Sequence, residues 1–276
     1  MSWRVPSLIQ HDSTVSHQII QREMTQREIA QREIAQRDIA QRDRHAHWPK
    51  LGARLSTVAS LYPSNTRLID IGTDHAYLPI TLVHNQIASL AYAVDINFGP
   101  LQGARRSIRN AQLDHKVLLR LGNGFHALED SDQADVATFC GLGGTKVAEL
   151  MRHAPSSIHT VIIQVNDQHT SLRRTLSRLG WMIHAERLCM DAQRLYITYV
   201  FKRTQHTQLI HQSYVDHPFI YHTHDLLNTD PLYPIALDIW SIHIKKMLDA
   251  IPLLKVTAEK RTHLLRAIQQ LKQYQN

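Results

Sequence analysis

From Pro49 onward, short apolar runs alternate with stretches whose apolar residues return every three or four positions. The runs Arg67–Ile71, Ala91–Ile96, Lys116–Leu121, Asp135–Cys140, Thr160–Val165, Met182–Leu188 and Leu195–Phe201 read as strands, because compact aliphatic segments bounded by turn residues favour extended backbone. Between them, Leu51–Leu61, Leu78–His84, Leu101–Ala111, Thr145–Arg152 and Gln168–Leu179 carry helical spacing. Alternation of this kind builds βαβ units, hence a parallel sheet with helices on both faces. The last two runs break the pattern. Only a short polar segment around Asp191-Ala192-Gln193 separates them, so they are predicted to form an antiparallel hairpin at one end of the sheet.

After Lys202 the pattern dissolves into a His-rich, Pro-containing stretch, His206 to Pro234, and then resumes as two helical segments, Ile235–Ala250 and Leu253–Tyr274. In the second, Leu253, Val256, Lys260, His263, Leu264, Ala267, Ile268 and Leu271 lie near a 3,4 spacing, with Lys255, Arg261, Arg266 and Lys272 outside that stripe. Two helices sharing one apolar seam predict a second, all-α domain built as a coiled-coil-like helical hairpin. Residues 1–47 form an extension that repeats every five residues: Gln-Arg-Glu-Ile-Ala at 26–30 and 31–35, with variants at 21–25 and 36–40. A period of five advances each Ile by about 140° around a helix, so Ile29, Ile34 and Ile39 form no stripe, which argues against a coiled coil there. It does set acids four residues before arginines, as in Glu28/Arg32 and Glu33/Arg37, which supports a solvated helix. The resulting division is 1–47 extension, 48–203 α/β domain and 204–276 helical domain.

Composition narrows the function classes. Two cysteines, Cys140 and Cys189, leave no room for a disulfide framework or a four-cysteine zinc site. No window is apolar enough to span a membrane, and Met1–Pro6 lacks the apolar core of a signal peptide, so a cytoplasmic protein with no membrane partner is expected. With 31 basic and 24 acidic residues the net charge is +7, which suits a polyanionic partner. The pairs His45/His47 and His222/His224 with Asp225 invite a metal reading, but a chain with 19 histidines produces such spacings readily, and no metal is expected. The oligomeric state is left open by the sequence, with a monomer slightly favoured.

Chemistry is expected at the carboxyl ends of the strands, where open α/β sheets bind ligands. Asp70-Ile71-Gly72-Thr73-Asp74-His75-Ala76-Tyr77-Leu78-Pro79 lies where the first strand turns into its helix. Neither Gly-x-Gly-x-x-Gly nor Gly-Lys-Ser/Thr is present, which excludes the usual dinucleotide fingerprint and the P-loop. Asp95 ends the second strand, where a carboxylate can accept hydrogen bonds from both hydroxyls of a ribose. Asn123, within Gly122-Asn123-Gly124, follows the third strand and can meet an adenine edge, or simply form a turn. Gly141-Leu142-Gly143-Gly144 follows the fourth and clears space beside a ligand. Four successive strand ends carrying ligand-suited residues in order point to a Rossmann-like fold that binds S-adenosylmethionine (SAM).

The decapeptide at 70–79, Gly99-Pro100, Gly141-Leu142-Gly143-Gly144 and the opening Leu51-x-x-Arg54-Leu55 resemble the bacterial TrmK-type tRNA (adenine(22)-N1)-methyltransferases. The likeness runs from about Leu51 to Lys202 and more loosely beyond. It implies a seven-stranded class I methyltransferase sheet followed by a helical domain, SAM as cofactor, tRNA as partner, and methylation of adenine N1. By position it assigns Asp70, Gly72, Asp95, Asn123, Gly141 and Gly143 to the cofactor. Asp74, His75, Tyr77 and Asn166 fall to the target base. Three positions depart from the family pattern: Asn123 stands where that family has Asp, Leu142 where it has Met, and Val165 where it has Pro. Two alternatives stay open, a non-catalytic RNA-binding relative and a methyltransferase for a protein or small molecule.

Overall fold

The computed structural model describes Trp48, residues 50–204, residues 230–250, and the single residues Thr262 and Leu265. The pentapeptide repeat, the His-rich stretch and nearly all of the second C-terminal helix lie outside them.

Seven strands form one mixed sheet: β1 Thr66–Ile71, β2 Ala88–Asp95, β3 Val117–Leu121, β4 Val136–Leu142, β5 Thr160–Val165, β6 Trp181–Asp191 and β7 Arg194–Arg203. Their spatial order is β3-β2-β1-β4-β5-β7-β6. The first five run parallel; β7 pairs antiparallel with β5, and β6 antiparallel with β7. The helices are α1 Ala53–Ala59, α2 Tyr77–His84, α3 Phe98–Asn110, α4 Gly144–Leu150, α5 His169–Arg178 and α6 Tyr233–Ala250. Every strand and helix predicted between 51 and 203 is found, with ends moved by a few residues. The terminal hairpin shows the largest change. Its strands continue to a two-residue turn at Ala192-Gln193, both in left-handed backbone (φ 45° and 63°), the conformation a tight hairpin requires. Neither residue is Gly or Asn, so nothing local announced so tight a turn.

The parallel strands are apolar on both faces because both are covered. Ile69, Ile71, Val94, Phe139, Ile163, Tyr199 and Phe201 point into one core with Val147 and Leu150 of α4 and Leu172 and Leu176 of α5. Leu68, Ala91, Ala93, Val136, Ile162 and Val200 point into the other, against Val58 of α1, Leu78, Ile80 and Leu82 of α2, and Ala104 and Ile108 of α3. The period-two alternation along each strand sorts side chains between these layers.

α6 was expected to open a separate helical domain. Its first turns instead complete the sheet's core: Tyr233, Ala236, Leu237 and Trp240 are all buried with Leu188, Tyr199 and Phe201. Asp230 ties this entry to the sheet, one carboxylate oxygen accepting the Leu188 N–H of β6 at 3.0 Å and the other the Leu232 N–H at 2.9 Å. Sequence periodicity predicted the helix but not where its apolar stripe docks. A chain ending at residue 204 is therefore expected to expose apolar core and to lose its cooperative thermal transition. In the full chain, Trp240→Ala should cost about 3 kcal/mol or more in a denaturant titration, as deletion of a buried indole does. A truncated chain that melts like the intact one would show that α6 contributes nothing to this core.

Candidate active site

The strand order reverses between β1 and β4, and all ten residues expected at the site fall at the carboxyl ends of the parallel strands around that point. The β1–α2 turn is built on a buried pair. Thr73 donates its hydroxyl to Asp70 Oδ2 at 2.7 Å, and both side chains are almost fully buried. The backbone N–H groups of Gly72 and Thr73 both reach the carbonyl of Val94 on β2, at 2.9 Å each. Positive φ recurs at Gly72 (79°), Asp74 (52°) and Ala76 (58°), so the chain zigzags and leaves Asp74, His75 and Tyr77 exposed while Ala76 is buried. A short polar side chain tolerates this region at Asp74. At Ala76, the residue before α2, the same conformation is strain held in place by packing.

Asp95 lies beside this turn. Its Oδ2 accepts the Asp74 N–H at 3.4 Å and its Oδ1 the Asn97 N–H at 2.9 Å. Each oxygen has two lone pairs, so one on each is left for a ligand donor. The Asp95 carbonyl accepts the Gly122 N–H, which brings the start of the β3 turn to the same place. Asn123 there is exposed, and its side chain caps nothing. The Gly124–Ala127 segment forms a single 3₁₀ turn where only a Gly-Asn-Gly turn was expected. Sequence reasoning also passed over Ile96 and Leu121, which are 60% and 57% exposed. Their signal was an apolar residue directly after, or at, a strand's carboxyl end, where solvent exposure is otherwise unexplained.

His75 rests on α3. A Cβ built on Gly103 would lie 2.6 Å from His75 Nδ1, so the imidazole occupies the space that glycine leaves. It stacks on Tyr77 with ring centroids 5.3 Å apart and planes 22° from parallel, and its Nε2 is 3.7 Å from Asp74 Oδ1. These three side chains thus form one exposed group.

Across the switch point, β4 bulges at Gly141 (φ 78°), shifting its register with β5. Bulges of this kind re-aim backbone at the ends of strands. The carbonyl freed at Gly141 accepts Asn166 Nδ2 at 2.7 Å, and the Asn166 N–H continues the ladder to the Leu142 carbonyl at 3.1 Å. That ladder holds the backbone beside Val165, where the family pattern has proline. Gly143 and Gly144 allow the β5–α5 turn to close in: a Cβ at Gly144 would lie 2.8 Å from the backbone oxygens of both Asp167 and Gln168. The site thus has two halves, with Asp70, Gly72, Asp74, His75, Tyr77 and Asp95 joined on one side and Gly141, Gly143 and Asn166 on the other. Among the described residues, no group of three or more His, Cys, Asp or Glu side chains is arranged to hold a metal ion.

Burial, with the Asp95 charge adding to it, pushes the Asp70 carboxyl up to about 6, although the Thr73 hydroxyl pulls the other way. Burial also raises the Cys140 thiol well above its ordinary range, which makes it a packing group and not a nucleophile. His169, at the start of α5, is held down to about 4 by burial and by Arg173, and its Nδ1 is 3.0 Å from the Tyr199 hydroxyl.

A sheet in this order, with a glycine turn after β1, a carboxylate closing β2 and a glycine-rich bulge after β4, defines a Rossmann-like scaffold of the class I methyltransferase type. The chain belongs to the methyltransferase domain family, whose model matches residues 51–198. It is 34% identical over 150 residues to a Bacillus subtilis (strain 168) protein named tRNA (adenine(22)-N(1))-methyltransferase; the match spans 53% of this chain and 63% of that protein. Two solved structures are similar over nearly their whole lengths. M. capricolum TrmK in complex with S-adenosyl-homocysteine has 27% identity and a TM-score of 0.68, covering 83% of this chain and 98% of that one. A Streptococcus pneumoniae protein in complex with S-adenosyl-L-methionine has 28% identity and a TM-score of 0.68, covering 81% and 98%.

Two outcomes follow from this geometry. The native Asp70 keeps a proton that the unfolded carboxyl, near 3.9, has lost, so its contribution to stability falls as pH rises from about 4 to 6. His169 acts in the opposite sense, since its neutral native form makes stability rise between about 4 and 6.5. Comparing Asp70→Asn with the parent isolates the first effect: equal stability near pH 4, and a more stable variant by about 2–3 kcal/mol at pH 7.5, read from paired denaturant titrations. A constant difference across that range would place the Asp70 titration elsewhere. Gly144→Ala, whose new methyl meets backbone oxygens, should lower stability by about 1–3 kcal/mol in the same titration.

Proposed function

We propose that this chain transfers the methyl group of SAM to N1 of an adenine in tRNA, adenine 22 being the expected position. The observation that carries the reading is the contact between the Asp74 N–H and Asp95, which sets the exposed Asp74–His75–Tyr77 group directly beside a ribose-suited carboxylate. The name of the Bacillus subtilis relative and the SAM and S-adenosyl-homocysteine in the two similar structures support it.

The residues present fit the cofactor. Asp95 keeps acceptor capacity on both oxygens for the ribose hydroxyls, Ile96 next to it offers apolar surface to a purine face, and Asn123 is free to meet the purine edge. Gly72 and Gly141 add no side chain to the turns at the switch point. When bound, SAM supplies a methyl group already activated by its sulfonium. The adenine N1 lone pair needs no strong base, so the chain's work is to orient donor and acceptor, worth up to about 7–11 kcal/mol in the best cases. The Asp74 carboxylate accepts from the N6 amine and stabilises the positive charge that grows on the base as N1 is alkylated. The stacked His75 and Tyr77 rings orient the base plane. N1 lies on the pairing edge, so the base enters unpaired or flipped out. The +7 charge of the chain favours the polyanionic substrate.

The direct test incubates the purified full chain and labelled SAM with unmodified tRNAs carrying A or G at position 22, followed by nucleoside mass spectrometry. The expected product is 1-methyladenosine in the A22 tRNA alone, reduced about 100-fold in Asp74→Ala with SAM binding retained. SAM binding without any methylated nucleoside would overturn the reading and leave a changed substrate or a non-catalytic RNA binder.

A further inference from the structure

We infer that Arg54, on the helix that precedes the sheet, is a positioning residue for the target base, acting through the amides of Gln164 and Asn166. The inference rests on the methyl-transfer reading above and adds to it the support that holds the base-facing Asn166 acceptor in place.

Gln164 is fully buried in β5, where an amide must satisfy both of its ends inside the protein. Arg54 Nη1 donates to Gln164 Oε1 at 2.5 Å. A guanidinium carries only donors and stays charged at every physiological pH, so this contact fixes the oxygen end of the amide. The nitrogen end then faces forward, donating to the Val165 carbonyl at 2.9 Å and reaching Asn166 Oδ1 at 3.4 Å. Asn166 Oδ1 is thereby an acceptor, and its Nδ2 donates to the Gly141 carbonyl at the β4 bulge, 2.7 Å away. Every donor in the chain points away from Arg54. Arg54 is itself held in place: its backbone N–H donates to Asp191 Oδ2 at 3.2 Å, and its guanidinium lies 5.7 Å from the centre of the Tyr196 ring.

Asn166 is exposed, and the relay uses only one lone pair of its Oδ1. The second is left to accept from an exocyclic amine. Adenine presents such an amine at C6, next to N1, where guanine presents a carbonyl oxygen that an acceptor repels. The Gly141 carbonyl, which can only accept, fixes which way the Asn166 amide faces, and Gln164 steadies its Oδ1 from the other side. Arg54, by holding Gln164, therefore steadies this acceptor without touching the base.

Three variants separate positioning from simple scaffolding. Arg54→Met removes the anchor, and Arg54→Lys keeps the charge without the planar fork. Gln164→Glu keeps and strengthens the Arg54 contact but deletes the donor that steadies Asn166. It therefore tests the relay even if Arg54→Met fails to fold. In all full-length proteins, SAM binding is measured by calorimetry, single-turnover methylation is measured on A22 and G22 tRNAs, and the Asn166 side-chain amide is followed by nitrogen-15 NMR. Arg54→Met and Gln164→Glu are expected to lose about 100-fold in single-turnover rate on A22 tRNA with SAM affinity within about twofold, the scale of a small misplacement at a reacting centre. Both should collapse the downfield Asn166 amide proton toward free-amide positions, with Arg54→Lys intermediate; G22 tRNA, whose guanine N1 carries a proton and offers no lone pair, is the negative control throughout. A Gln164→Glu protein with parental rate on A22 tRNA, or an Asn166 amide already at free-amide positions in the parent, would overturn the inference. If the parent does not methylate A22 tRNA, the methyl-transfer reading fails and the inference about the target base falls with it, while the amide spectrum still decides whether the relay exists. If the parent is active and the variants match it, only the inference fails.

Discussion

The hydrogen bond from Thr73 to Asp70 is what the rest of the site depends on, because it closes the turn at the end of the central strand. A carboxylate so deeply buried is costly when charged, and its single side-chain donor offsets only part of that penalty, which is why Asp70 titrates near 6. The return is geometric. With Thr73 drawn inward, Gly72 and Thr73 both lock onto Val94 of β2, and the chain is forced through left-handed backbone at Asp74 and Ala76. Asp74, His75 and Tyr77 then share one exposed rim next to Asp95. A buried acid and a strained alanine, each unfavourable alone, are thus tolerated where the chemistry needs a rigid turn.

The sheet was legible because its signal is local. β5 is found with its expected ends, Thr160–Val165, and β1 begins one residue earlier than expected, since a strand buried on both faces must be apolar and must stop at turn residues. The positions of Asp95, Asn123 and Gly141 followed from the same rule, that ligands meet such sheets at the strand ends. What escaped were features decided by distant partners. Trp240 reads as one apolar residue in an amphipathic helix, and only its docking against the far end of the sheet makes it core. From the sequence, His75 is placed by its position in the decapeptide alone, yet its ring occupies the space left by the missing side chain of Gly103 on another helix.

Arg54 shows the same limit and connects the ends of the domain. Its partners, Gln164 and Asp191, lie 110 and 137 residues away in sequence, and Tyr196 lies on the last strand. The antiparallel hairpin β6–β7 is far from the switch point and carries none of the residues first expected at the site. It nevertheless anchors α1, and α1 carries the guanidinium that steadies the amides beside Gly141. The hairpin therefore belongs to the functional architecture and is more than an edge on the sheet. Contacts of such long sequence separation form late, because the entropy of closing the intervening chain must be overcome before they contribute. The Asp70–Thr73 turn closes over three residues and can form with β1 and β2 alone. The two halves of the site thus differ in kind: the Asp74 side is preset by a local turn, while the Asn166 side, its amide set by the Gly141 carbonyl, gains its Gln164–Arg54 support only once the first helix has met the last hairpin.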